Sequence, residues 1–276
     1  MLKLYVEYLF YILFKRVVTQ VLQIKSTSNS KYKYIKSLLT KKAREKNGEY
    51  TVEGIKSVTD AINSKKVIST IVVSENFYNN IDFEYPNNVD LLVVDDLIFP
   101  ELCDTITPQG IIAVIKAESG SNFEFNKNGE YVYCDNIQDP GNLGTIIRTA
   151  EAAGFSAVLL SPNCVDIHNP KVVRASMGSY FNIDIINNVN PDDILAMKNK
   201  GLKVYGGSLR DNAYDYRLVN YSAPVMVVIG NEANGISDNV LDLCDSVKIP
   251  IVGRAESLNA SVAAGILIYE VLRNRS

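Results

Sequence analysis

From residue 131 onward, short apolar runs alternate with stretches patterned as helices, the runs falling at 131–134, 157–160, 181–186, 203–205, 224–229 and 247–249. Runs this short and this apolar, separated by enough chain for a covering helix, require a mostly parallel sheet buried on both faces. In open sheets of that kind ligands bind outside the carboxyl ends of the strands, so the loops that follow the runs are where chemistry is expected.

A smaller α/β unit precedes this sheet. Strand-like runs occur at 67–73 and 91–94, "TPQGIIAVIKA" at 107–117 supplies a last strand, and a helical stretch lies near 54–63. Ahead of them Ile35, Leu38 and Leu39 form one apolar face at helical spacing. The polar "ESGSNFEFNKNGE" reads as a linker, so the expected division is an extension at 1–20, a first domain at 21–117, a linker at 118–130 and a second domain at 131–276. With 276 residues, 47% of them apolar, the chain can fill two cores.

The net charge of −3 speaks against a nucleic-acid binder, but it is unevenly spread. Residues 21–66 hold 11 Lys/Arg against 4 Asp/Glu, a net +7 on an acidic remainder. A basic front end suits a polyanion, with Lys33, Lys41, Lys42 and Arg44 the candidate phosphate contacts. The start, "MLKLYVEYLFYILFKRVV", is interrupted by Lys3 and Glu7 and closed by Lys15 and Arg16. It falls short of a spanning helix, and its basic pair follows the apolar run where a signal peptide would place one before it. An amphipathic extension or an upstream start codon is expected, with no membrane. Four scattered cysteines and the single His168 support neither a metal site nor a disulfide framework, and a reducing, cytoplasmic setting fits.

Three loops concentrate Gly, Asn and Ser. In "DNIQDPGNLGTIIRTAEAAGF" (135–155), Asp139-Pro140-Gly141-Asn142 is a turn sequence. The helix after it presents Leu143, Ile146, Ile147, Ala150 and Ala153 on one face and stops at Gly154, leaving Arg148 off that face. Alone this is equally a βα turn with a solvated arginine, and its spacing matches no dinucleotide or phosphate-loop fingerprint. "VMVVIGNEANGIS" (225–237) runs a buried-type strand into Gly230-Asn231-Glu232. "VKIPIVGRAESLNASVAAGILIYEVLR" (247–273) leads through a glycine loop to a helix expected to start at 257–259 with Ser257 as its cap, followed by small residues that admit close packing.

Together these segments resemble, in order and separation, the three motifs of the SpoU (TrmH-like) branch of the SPOUT RNA methyltransferases. "NPKVVRASMGSYF" (169–181) is similar to the connecting segment of that family, and the basic region through "TPQGIIAV" to its N-terminal substrate-binding domain. The resemblance implies a trefoil knot at the C-terminal end, a homodimer, S-adenosylmethionine as cofactor, no metal, and methyl transfer to a ribose 2′-hydroxyl of RNA, with ribosomal RNA favoured by analogy. Carried over by motif, Asn142, Arg148, Glu232, Ser257 and Asn259 are catalytic. Gly230, Ile249 and Leu258, with Ser208, Leu209 and Gly253, are cofactor contacts, and Arg174 is an RNA contact. Val is common in the family where this chain has Ala260.

The chemistry leaves Arg148 two roles. A ribose hydroxyl must lose its proton during attack or be held in line. Arginine as base is the family proposal, but arginine is normally a permanent cation, which suits an anchor that stabilises the developing alkoxide. Glu232 is either part of that machinery or a carboxylate that binds turn amides. His168 matches no motif. A transfer RNA substrate, or an RNA-binding protein without activity on the same fold, are the competing readings.

Overall fold

The computed structural model describes residues 21–118, 123–208 and 213–275. The chain divides into two compact units, Met1–Ser119 and Gly120–Ser276. The extension at 1–20 and part of the expected linker lie outside the described residues.

Among the described residues of the first unit, five strands form one mixed sheet: β1 (Val21–Ile24), β2 (Glu49–Glu53), β3 (Ile68–Ser74), β4 (Asp90–Val94) and β5 (Ile111–Lys116), in the order β1-β4-β3-β5-β2. β1, β4 and β3 run parallel, and β5 is antiparallel to both β3 and β2. Helices α1 (Ser30–Ser37), α2 (Lys41–Asn47), α3 (Ile55–Asn63) and α4 (Glu75–Asn80) accompany it. Tyr32, Ile35 and Leu38 pack with Val72, Leu92 and Val114 in the core. β1 and β2 escape the sequence because both are short, with four and five residues.

One basic residue has a different role from the one expected. Arg44 is 5% exposed, and its guanidinium donates to the carbonyls of Leu38 and Leu39 at 2.8 and 2.9 Å. It satisfies carbonyls left free where α1 ends, and does not belong with the exposed Lys33, Lys41 and Lys42.

The second unit holds an all-parallel sheet, among the described residues, of β6 (Glu130–Cys134), β7 (Ala157–Leu160), β8 (Asp184–Ile186), β9 (Lys203–Gly207), β10 (Tyr214–Asp215), β11 (Val225–Ile229) and β12 (Asp245–Lys248). Its order is β10-β12-β9-β11-β6-β7-β8. β6, β7 and β8 step to one side while β9 begins the other, so the chain changes direction between β6 and β11. Helices α5 (Pro140–Ala152), α6 (Pro170–Ala175), α7 (Pro191–Lys198), α8 (Asp238–Leu241) and α9 (Ala260–Arg273) complete the unit. Tyr131, Tyr133, Leu159, Met226 and Val228 are buried together in one core cluster. At the start of β6 the buried Glu130 accepts from Arg275 Nε at 2.8 and 2.9 Å, tying the chain's end to the first strand of the sheet.

Three local expectations change. Asp139-Pro140-Gly141-Asn142 is not a free turn but the opening of α5, with Asp139 as cap and Pro140 at the first helical position, where its missing N–H costs nothing. The run 181–186 splits, residues 179–181 forming a 3₁₀ turn and only Asp184–Ile186 a strand. The third-motif helix begins at Ala260 and is capped by Asn259, not Ser257, because Asn259 is the residue with extended backbone directly before the first helical turn.

Candidate active site

The loops after β6 and β11 leave adjacent strands on either side of the change of direction, the place where open α/β sheets bind ligands. Asp139, capping α5, accepts from the backbone N–H of Asn142 at 2.8 Å. Asn142, nearly buried in the first turn, donates through Nδ2 to Glu232 at 2.9 Å and accepts through Oδ1 from Asn259 Nδ2 at 3.0 Å. Asn259 Oδ1 in turn accepts from the N–H groups of Ser261 and Val262 at 2.9 and 3.3 Å, capping α9. One hydrogen-bonded chain thus joins all three glycine-rich segments.

Glu232 ends that chain and also accepts from the N–H groups of Gln138 and Asp139, both at 3.4 Å. Partial burial would raise its pKa. The Asn142 amide and the backbone donors of Glu232, Gln138 and Asp139 outweigh it and hold the carboxyl below the ordinary glutamate value. Behind it, buried Asp135 accepts from Ser237 N at 2.6 Å, and Asn231 donates to Asn136 O at 2.8 Å while accepting from Ala233 N and Asn234 N at 3.0 Å each. Sequence reading missed Asp135, Asn136, Gln138 and Asn231. For Asp135, Asn136 and Asn231 the signal was present as Asn/Asp flanking a strand end, the side chains that fold loops back on themselves.

Beside the chain lies a cavity of about 610 Å³, lined among others by Ser208, Gly230, Glu232, Ile249, Ser257 and Leu258. Gly230 has no room for a side chain, since a Cβ would sit 2.2 Å from the carbonyl carbon of Gly235 and 2.3 Å from Ile236 N. Among its described lining residues the carboxylates Glu232 and Glu256 are the charged groups, with no lysine, arginine or histidine. Two carboxylates on that lining suit a cation.

The other expected residues fall as follows. Arg148 is exposed on α5, and no contact joins it to the Asn142 chain. Arg174 is half-buried in the last turn of α6. Gly253 is exposed in the loop after β12 and does not line the cavity. Leu209 lies outside the described residues. His168 Nδ1 is 2.6 Å from the Tyr180 hydroxyl. Burial pushes the thiols of Cys103 and Cys244 up to about 12 and raises those of Cys134 and Cys164 as well, which disfavours the thiolate at all four.

Residues 130–269, which hold the whole hydrogen-bonded chain, match the SpoU rRNA methylase family. The chain belongs to that family. Residues 29–113 match the MRM3-like substrate binding domain. The 23S rRNA (guanosine(2553)-2′-O)-methyltransferase RlmP of Bacillus subtilis is 35% identical, the alignment covering 90% of this chain and 98% of that enzyme. The mitochondrial rRNA methyltransferase 3 of Mus musculus is 29% identical, over 82% of this chain and 68% of that one. The crystal structure of an AdoMet-bound rRNA methyltransferase from Sinorhizobium meliloti superposes with a TM-score of 0.83 at 31% identity, covering 93% of this chain and 99% of that one. As a member of the SpoU family the protein is an S-adenosylmethionine-dependent RNA methyltransferase. The cavity fits that cofactor on its own chemistry. Its apolar walls at Val228, Ile249 and Leu258 suit an adenine ring, and its two carboxylates suit a ligand with a sulfonium and an ammonium.

Proposed function

We propose that the protein methylates a ribose 2′-hydroxyl of large-subunit ribosomal RNA in the cytoplasm, as a homodimer whose C-terminal end is a trefoil knot. The observation that carries this reading is the Asn259–Asn142–Glu232 chain beside a cavity suited to a cation. Residues 207–208, residues 228–236 and parts of the segment from Val247 to Ala263 on either side of Gly253 line that cavity, which supports the knot. Val262 and Tyr269 on α9, each 51% exposed, and Leu218 at 84% supply an apolar surface for a second copy.

S-adenosylmethionine, when bound, supplies the electrophilic methyl group. Ser208, Gly230, Ile249 and Leu258 hold it in the cavity, largely through backbone groups. Asn142, Ser257 and Asn259 shape the wall where the ribose enters. Arg148 binds the hydroxyl or its neighbouring phosphate and stabilises the charge that grows on the attacking oxygen. Glu232 keeps the β6 and β11 loops in register through its bonds to Gln138, Asp139 and Asn142. Lys33, Lys41 and Lys42 grip RNA phosphates from the first unit.

Mapping 2′-O-methyl groups in ribosomal and transfer RNA from cells with and without the protein tests the reading. One large-subunit position that loses its methyl group is the expected result, and a loss confined to transfer RNA would overturn the choice of substrate.

A further inference from the structure

We infer that Lys171 is a substrate-anchoring residue of this site, binding the RNA phosphate next to the reacting ribose. The inference rests on the function proposed above. Lys171 stands in the first turn of α6, its side chain 53% exposed, with Nζ 3.9 Å from Asp139 Oδ2. Asp139 caps α5 with its other oxygen, and its own N–H reaches Glu232. The ammonium is therefore one residue's reach from the hydrogen-bonded chain at the centre of the site.

Two glycines set that placement. At Gly144 a Cβ would come within 2.5 Å of Ala175 Cβ and 2.7 Å of Val172 O, so α6 lies on α5 at backbone distance. At Gly141 a Cβ would stand 2.9 Å from Asp139 Oδ1 and 3.9 Å from Lys171 Cε, so the missing side chain keeps the ground between lysine and cap open.

Stability does not account for a lysine here. An exposed pair at 3.9 Å contributes little. A cation at the amino-terminal ends of α5 and α6 also opposes the dipoles of both helices. Residues set against local electrostatics mark functional positions more often than structural ones. The neighbouring cavity offers an approaching anion two carboxylates, and a lysine ammonium at this place offsets them. Lysine, a point charge on a flexible stem, can leave Asp139 for a phosphate without disturbing the cap.

The test uses the full chain, with ribosomal RNA from a strain lacking the protein as substrate. Lys171→Ala, Lys171→Gln and Lys171→Arg are compared with the parent at saturating S-adenosylmethionine over a range of salt concentrations. The alanine and glutamine variants should raise the RNA KM about tenfold. They should also flatten the log–log salt dependence of RNA binding by about 0.7 to 0.9, one phosphate's worth. Cofactor affinity and Tm should stay at parental values, and arginine should restore the slope. An unchanged slope overturns the inference, and an unchanged slope with lowered Tm shows a merely structural lysine. Inactivity of the parent on this RNA would count against the proposed substrate instead, and the salt slope of binding, read by fluorescence anisotropy, would still decide Lys171.

Discussion

Asn142→Asp tests the hydrogen-bonded chain at its centre. The substitution keeps an acceptor for Asn259 and replaces the donor to Glu232 by a second carboxylate oxygen, across a gap now 2.9 Å wide. Losing a hydrogen bond to a charged acceptor costs about 1.5 to 3 kcal/mol, and like-charge repulsion adds to it. Glu232 is solvent-exposed, so screening trims both contributions, and about 2 kcal/mol in total is expected at pH 8. For a unit of this size that lowers Tm by about 4 to 8 °C. The sign of the pH dependence is the sharper test. In the parent, Glu232 has a lowered folded-state pKa, so its stabilisation is full above the unfolded value and is lost as pH falls through the folded one. In the variant, one of two facing carboxyls has a raised folded-state pKa. Its penalty is absent below the unfolded value of about 4 and grows as pH rises through the raised value. From pH 8 down to pH 5 the variant's Tm should climb toward the parent's. Asn142→Ala, which loses both bonds but adds no charge, should stay parallel to the parent from pH 8 to about pH 5 and converge on it only at lower pH, where the parent loses the stabilisation that the Asn142 amide gives Glu232. Scanning calorimetry at fixed ionic strength reads this directly, and parallel curves for the aspartate and alanine variants would refute the reasoning.

Gly230→Ala should cost about 1 to 3 kcal/mol of stability and abolish cofactor binding, because its Cβ meets backbone of Gly235 at 2.2 Å. Gly235→Ala has open space around it and only a φ of +70° to strain, so titration calorimetry should find cofactor binding largely kept. Replacing Lys33, Lys41 and Lys42 by glutamine should flatten the salt dependence of RNA binding by about 0.7 to 0.9 per lost contact. Arg44→Leu should instead lower Tm, at about 1 to 3 kcal/mol for the stranded carbonyls of Leu38 and Leu39, and leave that slope alone. Arg148→Ala should cut methyl transfer roughly a hundred- to a thousand-fold at unchanged cofactor affinity. Arg148→Lys should partly restore the rate without a new ionisation between pH 7 and 10, and a steep rise with pH would make the arginine a base.

The parallel sheet was legible because runs such as 131–134 and 157–160 are buried on both faces, and burial of that kind writes itself as uninterrupted apolar sequence. The two-residue β10 and the edge strand β1 carry too few residues for any period, and only pairing with β12 and β4 makes them strands. The loops were legible as composition but not as geometry. "DPGN" fits a free turn and a capped helix start equally well, and the choice is made by Asp139 accepting from Asn142 N. Charge counting cannot separate Arg44 from its lysine neighbours, because the difference is where the chain ends α1, not what the side chain is. Nothing local in the sequence pairs Lys171 with Asp139, since the packing of α6 on α5 at Gly144 brings them together.

The direction of the hydrogen-bonded chain explains why asparagine serves at two of its three positions. Asn259 Oδ1 is committed to the first N–H groups of α9, which leaves only its Nδ2 for Asn142. A glutamate carboxylate only accepts, so Asn142 must present its nitrogen to Glu232 and its oxygen to Asn259. Of the short side chains, asparagine alone carries a donor and an acceptor on one rigid plane. Aspartate fails toward Glu232, and serine lacks the reach to span both partners. The two bonds close loops of 90 and 117 residues, so three distant segments fix one another's positions before any ligand arrives. The loops beside the cavity are then organised in the free protein, and binding energy need not be spent on ordering them.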